Sequence, residues 1–542
     1  MVSRAGPAEG SLVINFGGGL HTRPGADDIE ATEAFDGNNF LIDYQNKQLK
    51  NRRPFDLVGT APNAGAIKGG ISLRKADGSV TTLIQAGTKV YVWNGSTGWT
   101  DTGVTVSASA QLRGHWQRHY WALADLVLIT DLTKNERILS WDGTTLAYPT
   151  FTDETGASFG NFYAQYCLIS NERAIFANEK DATTNPHLII GSKVSNYLQL
   201  TVRNAPSTAI GNADPFFLLS PDLKPINGLV EAFGTIVVST ENGQLFGLSG
   251  ASAQDFAFLP FYPGSGASGT ESLTYIGNDV LYGKRGRIES VNDTNRFGDS
   301  EYDNIASNVT NVIDGYSAWT LIYNSRINRA YAFPSGGSEV WVCDTAMLPT
   351  ANVLAGGKNK GVSPWMRWRT RHSLGFQPTF VMSMLDPVDG LEYVFMGDST
   401  GNLYRLEGTG AAGDGGTEQV QMEWLSKTFQ IPDDAQGYAI EGFVSYAKNE
   451  AFTITLIFEY QGEALFSETI QVTAPATSGR LYFGGANYFG GTAYFGSRAG
   501  QYNRQPILVP GQANAFQLRI QVSAVSDWII NEVGLRFNAV GK

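Results

Sequence analysis

Phe395-Met396-Gly397-Asp398-Ser399-Thr400-Gly401-Asn402-Leu403-Tyr404-Arg405-Leu406 reads as strand, polar glycine turn, strand. The apolar runs carry β propensity. Asp-Ser-Thr-Gly brings side chains that bond to the backbone and a residue that accepts φ > 0, the needs of a tight turn. Val238-Ser-Thr-Glu-Asn-Gly243-Gln-Leu-Phe-Gly-Leu248 repeats the pattern, and Val280-Leu-Tyr-Gly-Lys-Arg-Gly286-Arg-Ile-Glu-Ser-Val291 is a looser copy. Ala330-Tyr-Ala-Phe333, Gly336-Gly337 and Val340-Trp-Val342 form a fourth variation. A second recurrence is Trp93-Asn94-Gly95-Ser96-Thr97 with Trp141-Asp142-Gly143-Thr144-Thr145. In both, a strand ends in an aromatic and Asn-Gly or Asp-Gly turns the chain back.

Outward from these stretches, no segment of helical length keeps a 3.6-residue apolar period, and short strand runs between glycine turns fill the chain. They group into units near 64–105, 106–158, 159–210, 222–265, 266–312, 313–372 and 373–408. Units of about 45–55 residues, each with several strands, predict a β-propeller of six or seven imperfect blades over 61–408. The competing arrangement is a series of hairpins in two sandwiches. Residues 1–60 read as an extended arm with entry strands, and 409–416, Thr-Gly-Ala-Ala-Gly-Asp-Gly-Gly, as a linker. Residues 417–542 predict a C-terminal β-sandwich, because Ala451-Phe-Thr-Ile-Thr-Leu-Ile-Phe-Glu-Tyr460 and Phe516-Gln-Leu-Arg-Ile-Gln-Val522 alternate well. The class is all-β.

Composition agrees. Of 542 residues, 62 are Gly, 12% are aromatic and only 17% are charged, which excludes helical bundles and disordered chains. Asp and Glu outnumber Lys and Arg by 51 to 39, a net charge of -12 that argues against a protein built to grip nucleic acid. The only cysteines, Cys167 and Cys343, make no disulfide framework and suit folding in a reducing cytoplasm. Met1-Val-Ser-Arg-Ala-Gly-Pro7 lacks the apolar core of a signal peptide, and no membrane span is expected.

Chemistry-bearing motifs are scarce. The five histidines are His21, His115, His119, His187 and His372. The i, i+4 pair His115 and His119 sits in a strand-like or loop-like context without the Glu of a zinc protease. Gly264-Ser-Gly-Ala-Ser-Gly269 lacks a nucleophile elbow's spacing, and Asp386-Pro-Val-Asp389-Gly390 reads as a turn rather than a calcium loop. No enzyme activity, cofactor or metal is expected. The sharpest local feature is Tyr482-Phe483-Gly-Gly-Ala-Asn, Tyr488-Phe489-Gly-Gly-Thr-Ala, Tyr494-Phe495-Gly-Ser, within a loop at 481–500. It holds too many aromatics for a free linker and too much Gly for a stable strand. Tyr482, Phe483, Tyr488, Phe489, Tyr494 and Phe495 are the candidate subunit or partner interface.

Four further stretches carry a resemblance. Leu12-Val-Ile-Asn-Phe-Gly-Gly-Gly-Leu-His-Thr-Arg-Pro-Gly25 leads to Ala34-Phe-Asp-Gly-Asn-Asn-Phe-Leu-Ile-Asp43 and Leu49-Lys-Asn-Arg-Arg-Pro-Phe-Asp-Leu-Val-Gly59. Ile530-Asn-Glu-Val-Gly-Leu-Arg-Phe537 closes the series. With the Phe395–Leu406 pair and the aromatic-Gly hexapeptides, they resemble the tail nozzle proteins (tail tubular protein B type) of short-tailed bacteriophages, with Phe55 where that group often has Gly. The resemblance implies a structural virion protein of the tail, forming a homohexameric ring below an adaptor ring near the portal. Such a ring extends the channel for genomic DNA, which passes without specific binding, and docks tail fibres or spikes. The net negative charge would then keep DNA phosphates from adhering to the channel. Two other readings stay open. One is a head-completion plug retaining packaged DNA. The other is a glycan-binding or glycan-cleaving propeller on the virion, with Trp93, Trp141, Trp365 and Trp368 stacking on sugars.

Overall fold

The computed structural model describes residues 9–540 except 23–28, 96–97, 115–125, 159, 181–184, 202–213, 233, 242–243, 251, 263–265, 278, 292–304, 349–362, 370–376, 409–413, 415–418, 431–435, 449–451, 461–462, 473–502, 508–511, 514 and 525–527. Its strands build a seven-bladed propeller and a two-sheet sandwich.

Blade 1 is Ile67–Arg74, Val80–Ala86, Lys89–Trp93 and Trp99–Thr105, ordered from the axis outward. Blade 2 is Leu112–Gly114, Val127–Asp131, Leu139–Trp141 and Leu146–Ala147. Their inner strands meet through one parallel bridge, Arg113 to Gly70, so the two blades form a single eight-stranded sheet. Blades 3 and 4 begin with the inner strands Ala164–Ser170 and Ile226–Ala232, and each has four antiparallel strands. Blade 5 begins with Leu273–Ile276 and has three strands among the described residues. Blade 6 runs from Trp319–Asn324 to its outer strand Trp365–Arg369. Blade 7 is Phe380–Leu385, Glu392–Gly397 and Asn402–Arg405, and its outermost strand is Asp56–Thr60 from the start of the chain. That strand closes the ring, so blade 7 joins sequence-distant residues in one ladder and leaves no open seam between first and last blades.

The repeats of the sequence are now interpretable. The Phe395 and Val238 stretches are the middle hairpins of blades 7 and 4, and the looser copies are those of blades 5 and 6. The Trp-Asn-Gly and Trp-Asp-Gly stretches turn into the outer strands of blades 1 and 2, with Gly95 at φ 82° and Gly143 at φ 84°. Five of the expected units hold every described strand of one blade, and 159–210 and 373–408 hold three of four each. The 159–210 unit ends too early, because the outer strand of blade 3 is Phe216–Leu219.

The sandwich corrects the reading of residues 1–60 as an extended arm. Glu9–Asn15 pairs along its whole length with Trp528–Val540 near the end of the chain. Gln48–Asn51 also pairs with that strand, and Phe40–Asp43 pairs with Gln48–Asn51. Asp36–Asn38 joins the opposite sheet beside Val420–Leu425. The "C-terminal" domain is thus a composite of both ends of the chain. Its inward faces alternate as expected: Phe452, Ile454, Leu456 and Phe458 face Leu535, Val533 and Ile530 across the core. The Phe452 and Trp528 rings stack at 6.0 Å between the sheets. This core is continuous with that of blades 5 to 7, through Trp341, Trp365 and Trp368. Sandwich and propeller therefore share buried apolar surface rather than meeting through a hinge.

Candidate functional site

Tyr482, Phe483, Tyr488, Phe489, Tyr494 and Phe495 lie outside the described residues, as do His115, His119 and His372. His21 is packed, its Nδ1 2.9 Å from the buried Glu33 carboxylate, which also accepts from the Ser363 amide. Burial pushes the thiols of Cys167 and Cys343 well above their ordinary range, so neither is poised as a nucleophile. Among the described residues no group of three or more His, Cys, Asp or Glu could hold a metal ion. Asp386-Pro-Val-Asp389-Gly390 is a turn: Asp386 accepts from the Val388 amide, Asp389 from the Leu391 amide, and Gly390 has φ 69°. Trp93, Trp141, Trp365 and Trp368 are all at most 1% exposed, which removes them as a sugar-stacking surface. Each is core of its blade, and Trp368 donates from Nε1 to the Phe40 carbonyl at 2.8 Å.

Two constellations stand out instead. The first is the junction where the chain's start, blade 6 and the sandwich meet. Asn39 sits in the left-handed region at φ 58°, a conformation Asn tolerates. Its side chain accepts from Arg52 Nε at 3.0 Å and the Arg369 amide at 2.9 Å, and donates to the Gln421 carbonyl at 2.9 Å. Arg52 is fully buried and forms a two-pronged ion pair with Asp414, Nη1 to Oδ1 at 2.8 Å and Nη2 to Oδ2. Its guanidinium lies 4.0 Å from the Phe55 ring centroid, and the Phe55 amide donates to Asp414 at 2.9 Å. Asp414 is the one described residue between 409 and 418, and it is buried. A buried carboxylate must be paired, and Arg52 pairs it. Arg367 adds a rim contact, donating to Asn38 at 2.7 Å and Asp36 at 2.6 Å.

The second constellation is a cavity of about 520 Å³ on the propeller axis, lined by blades 2 to 7. Near the start of the inner strands, Arg113 of blade 2 reaches to Glu271, just before blade 5, with Nε to Oε1 at 2.5 Å and Nη2 to Oε2 at 3.2 Å. Arg113 also donates to the Lys68 carbonyl of blade 1 and lies 5.0 Å from the Phe380 ring of blade 7. Toward the other face, the lining reaches Gly234, Gly277 and Ser325, in the turns that end the inner strands of blades 4, 5 and 6. There Tyr275 and Tyr323 meet edge-to-face at 6.0 Å. Glu392 accepts from Ser325 and Ser383 at 2.8 Å each, and Glu231 accepts from Ser170 at 3.2 Å.

Sequence reasoning missed both ion pairs. Arg52 stands in a stretch singled out only for its resemblance, and Asp414 is a lone carboxylate among small residues. The one available signal was that lone acid in an otherwise featureless glycine segment. Arg113 and Glu271 come from different blades, and no spacing rule links them.

Fold and junction define a β-propeller protein welded to a sandwich made from both chain ends. No family model matches the chain, and no curated protein matches it. Solved structures similar to it include a virginiamycin B lyase from Staphylococcus aureus, in a catalytically inactive form with quinupristin, at 10% identity and TM-score 0.39 over 64% of this chain and 97% of that one. The Pan2 WD40 domain of Neurospora crassa is similar at 10% identity and TM-score 0.38, over 66% and 95%. The computationally designed Ika8 protein is similar at 12% identity and TM-score 0.35, over 65% and 99%.

Proposed function

We propose that this chain is a structural subunit of the tail nozzle of a short-tailed bacteriophage, acting without catalysis. The observation that carries the reading is spatial. The stretches that resemble that group, within 12–59 and 530–537, lie at opposite ends of the chain and yet assemble into adjoining strands. They form the composite sandwich and the strand that closes the propeller, so the resemblance follows one architectural unit. A closed propeller welded to a sandwich is a rigid block with few free sheet edges, the property a ring subunit under load needs. The net charge of -12 fits a wall past which DNA slides without adhering. In this reading the subunits form a homohexamer that stacks on an adaptor ring and offers its outer face to fibres or spikes.

The test is to locate the protein in the particle by electron cryomicroscopy. A sixfold ring at the distal end of the tail is the expected result. Density inside the portal channel, as for a DNA-retaining plug, or absence from the virion would overturn the proposal.

A further inference from the structure

We propose that the seam between blades 2 and 3 binds a small phosphate dianion between two crossed lysines. Lys134 stands in the turn that follows Val127–Asp131 of blade 2, and Lys180 comes directly after Arg173–Glu179 of blade 3. Each reaches over the seam. Lys134 Nζ donates to Asn178 Oδ1 of blade 3 at 2.7 Å, and Lys180 Nζ donates back to Asn135 Oδ1 of blade 2 at 3.3 Å. Both amides are held from their other end. Asn178 Nδ2 donates to Gln165 Oε1 at 2.5 Å and to the Ile226 carbonyl at 2.8 Å. Asn135 Nδ2 donates to the Ser109 hydroxyl at 3.0 Å and the Thr133 hydroxyl at 3.1 Å. The amide oxygens are thereby aimed at the lysines, and two ammoniums are drawn together.

Neutral oxygens receive them. Among the described residues neither lysine has an ion-pair partner. The acids of the same turn are spent on the backbone: Asp131 accepts from the Gln111, Thr133, Asn135 and Glu136 amides, and Glu136 from the Ser107 and Arg137 amides. Burial and the neighbouring Lys180 ammonium hold Lys134 below the ordinary lysine range, the mark of like charges brought close without a counter-charge. An ammonium carries three donors, and the amides take only one from each. The rest are open to a ligand, since Lys180 and Asn135 are exposed and Lys134 is half-buried. Two adjacent ammoniums select a compact double negative charge with several oxygens, which a phosphate dianion supplies and chloride or a single carboxylate does not. A long polyanion is disfavoured, because the chain as a whole carries a net charge of -12.

Isothermal titration of the full-length protein with inorganic phosphate tests this, in phosphate-free buffer at constant ionic strength, with acetate and a single-stranded oligonucleotide as comparisons. The expected result is one saturable phosphate site per chain, with acetate and the oligonucleotide binding far more weakly. Lys134→Gln and Lys180→Gln should each weaken phosphate binding by roughly ten- to a hundredfold, the worth of one charge-assisted contact. Lys47→Gln, in an exposed turn of the sandwich, should leave it unchanged. Added phosphate should raise the thermal midpoint of the parent but not of the double variant. Without phosphate the double variant should unfold no earlier than the parent, because it relieves the repulsion. No saturable binding at millimolar phosphate, tighter binding of the oligonucleotide, or equal loss in Lys47→Gln would each overturn the proposal. So would a double variant that unfolds well before the parent, since the lysines would then be a structural clasp.

Discussion

Arg52 clasps Asp414 across 362 positions of sequence, and both side chains are sealed from water. The pair stands where the entry to the propeller passes the exit from it. Removing one partner strands a buried charge, whereas replacing both with apolar groups does not. Asp414→Ala and Arg52→Ala should each cost about 3–5 kcal/mol, and the double change Arg52→Met/Asp414→Leu should recover most of it. Urea unfolding followed by tryptophan fluorescence measures this, and a double variant no better than the single ones would contradict it.

Gly114 fixes the seam between blades 1 and 2. A Cβ added there would lie 1.2 Å from Ile71 Cδ1 and 2.7 Å from Ile71 Cβ, so the inner strands could not keep their parallel bridge. Gly114→Ala should destabilise by about 1–3 kcal/mol through overpacking. Adding Ile71→Ala should give part of that back. Thermal midpoints of the two variants against the parent provide the comparison.

Asp398 ties off the middle hairpin of blade 7. Burial alone would raise its carboxyl, but hydrogen bonds from Asn402 and Thr400 outweigh burial and hold it below the ordinary carboxylate range. The unfolded chain then takes up the proton at a higher pH than the folded one. The stabilisation is complete above the ordinary Asp value of about 4 and is lost as pH falls through the lower folded value. Asp398→Asn should lower stability near neutrality and flatten the acid limb below about pH 4. Urea midpoints measured across that range read both effects.

Trp93 and Trp141 end matching strands and are fully buried. Either residue changed to Ala should cost about 3–5 kcal/mol. Any glycan affinity of the folded protein should be unchanged by changes at these two sites. A glycan array of each folded variant against the parent would expose a direct role in binding if one existed.

Deleting residues 482–496 should leave the propeller folded while weakening assembly into rings. Sedimentation velocity measures assembly, and the near-ultraviolet circular dichroism of the buried tryptophans reports the fold. Normal virions carrying the deletion would refute the interface role of Tyr482, Phe483, Tyr488, Phe489, Tyr494 and Phe495.

The propeller was readable because its information is local. A hairpin such as Phe395–Leu406 carries its own strands and turn, and the same chemistry recurs blade after blade. The sandwich was half readable: alternation in Phe452–Tyr460 marks a sheet with one buried face, but cannot say which strand lies beside it. Asp56–Thr60 and Glu9–Asn15 were misread because their partners are hundreds of residues away, and pairing at that distance leaves no periodic trace. The axial cavity has the same character. Glu231 and Glu392 share a space only because seven separate turns of chain close into a circle.

The pairing of Glu9–Asn15 with Trp528–Val540 sets a timetable. At about 5–20 residues per second, the ribosome finishes the partner strand roughly half a minute to two minutes after the first strand emerges. Blades can condense one after another as they are made, since each is local. Glu9–Asn15 has no strand to pair with until residues 528–540 have been made. A strand made early is thus placed late, and its ladder forms only once residues 528–540 have left the ribosome. A chain lacking either residues 9–15 or residues 528–540 loses the ladder that joins them.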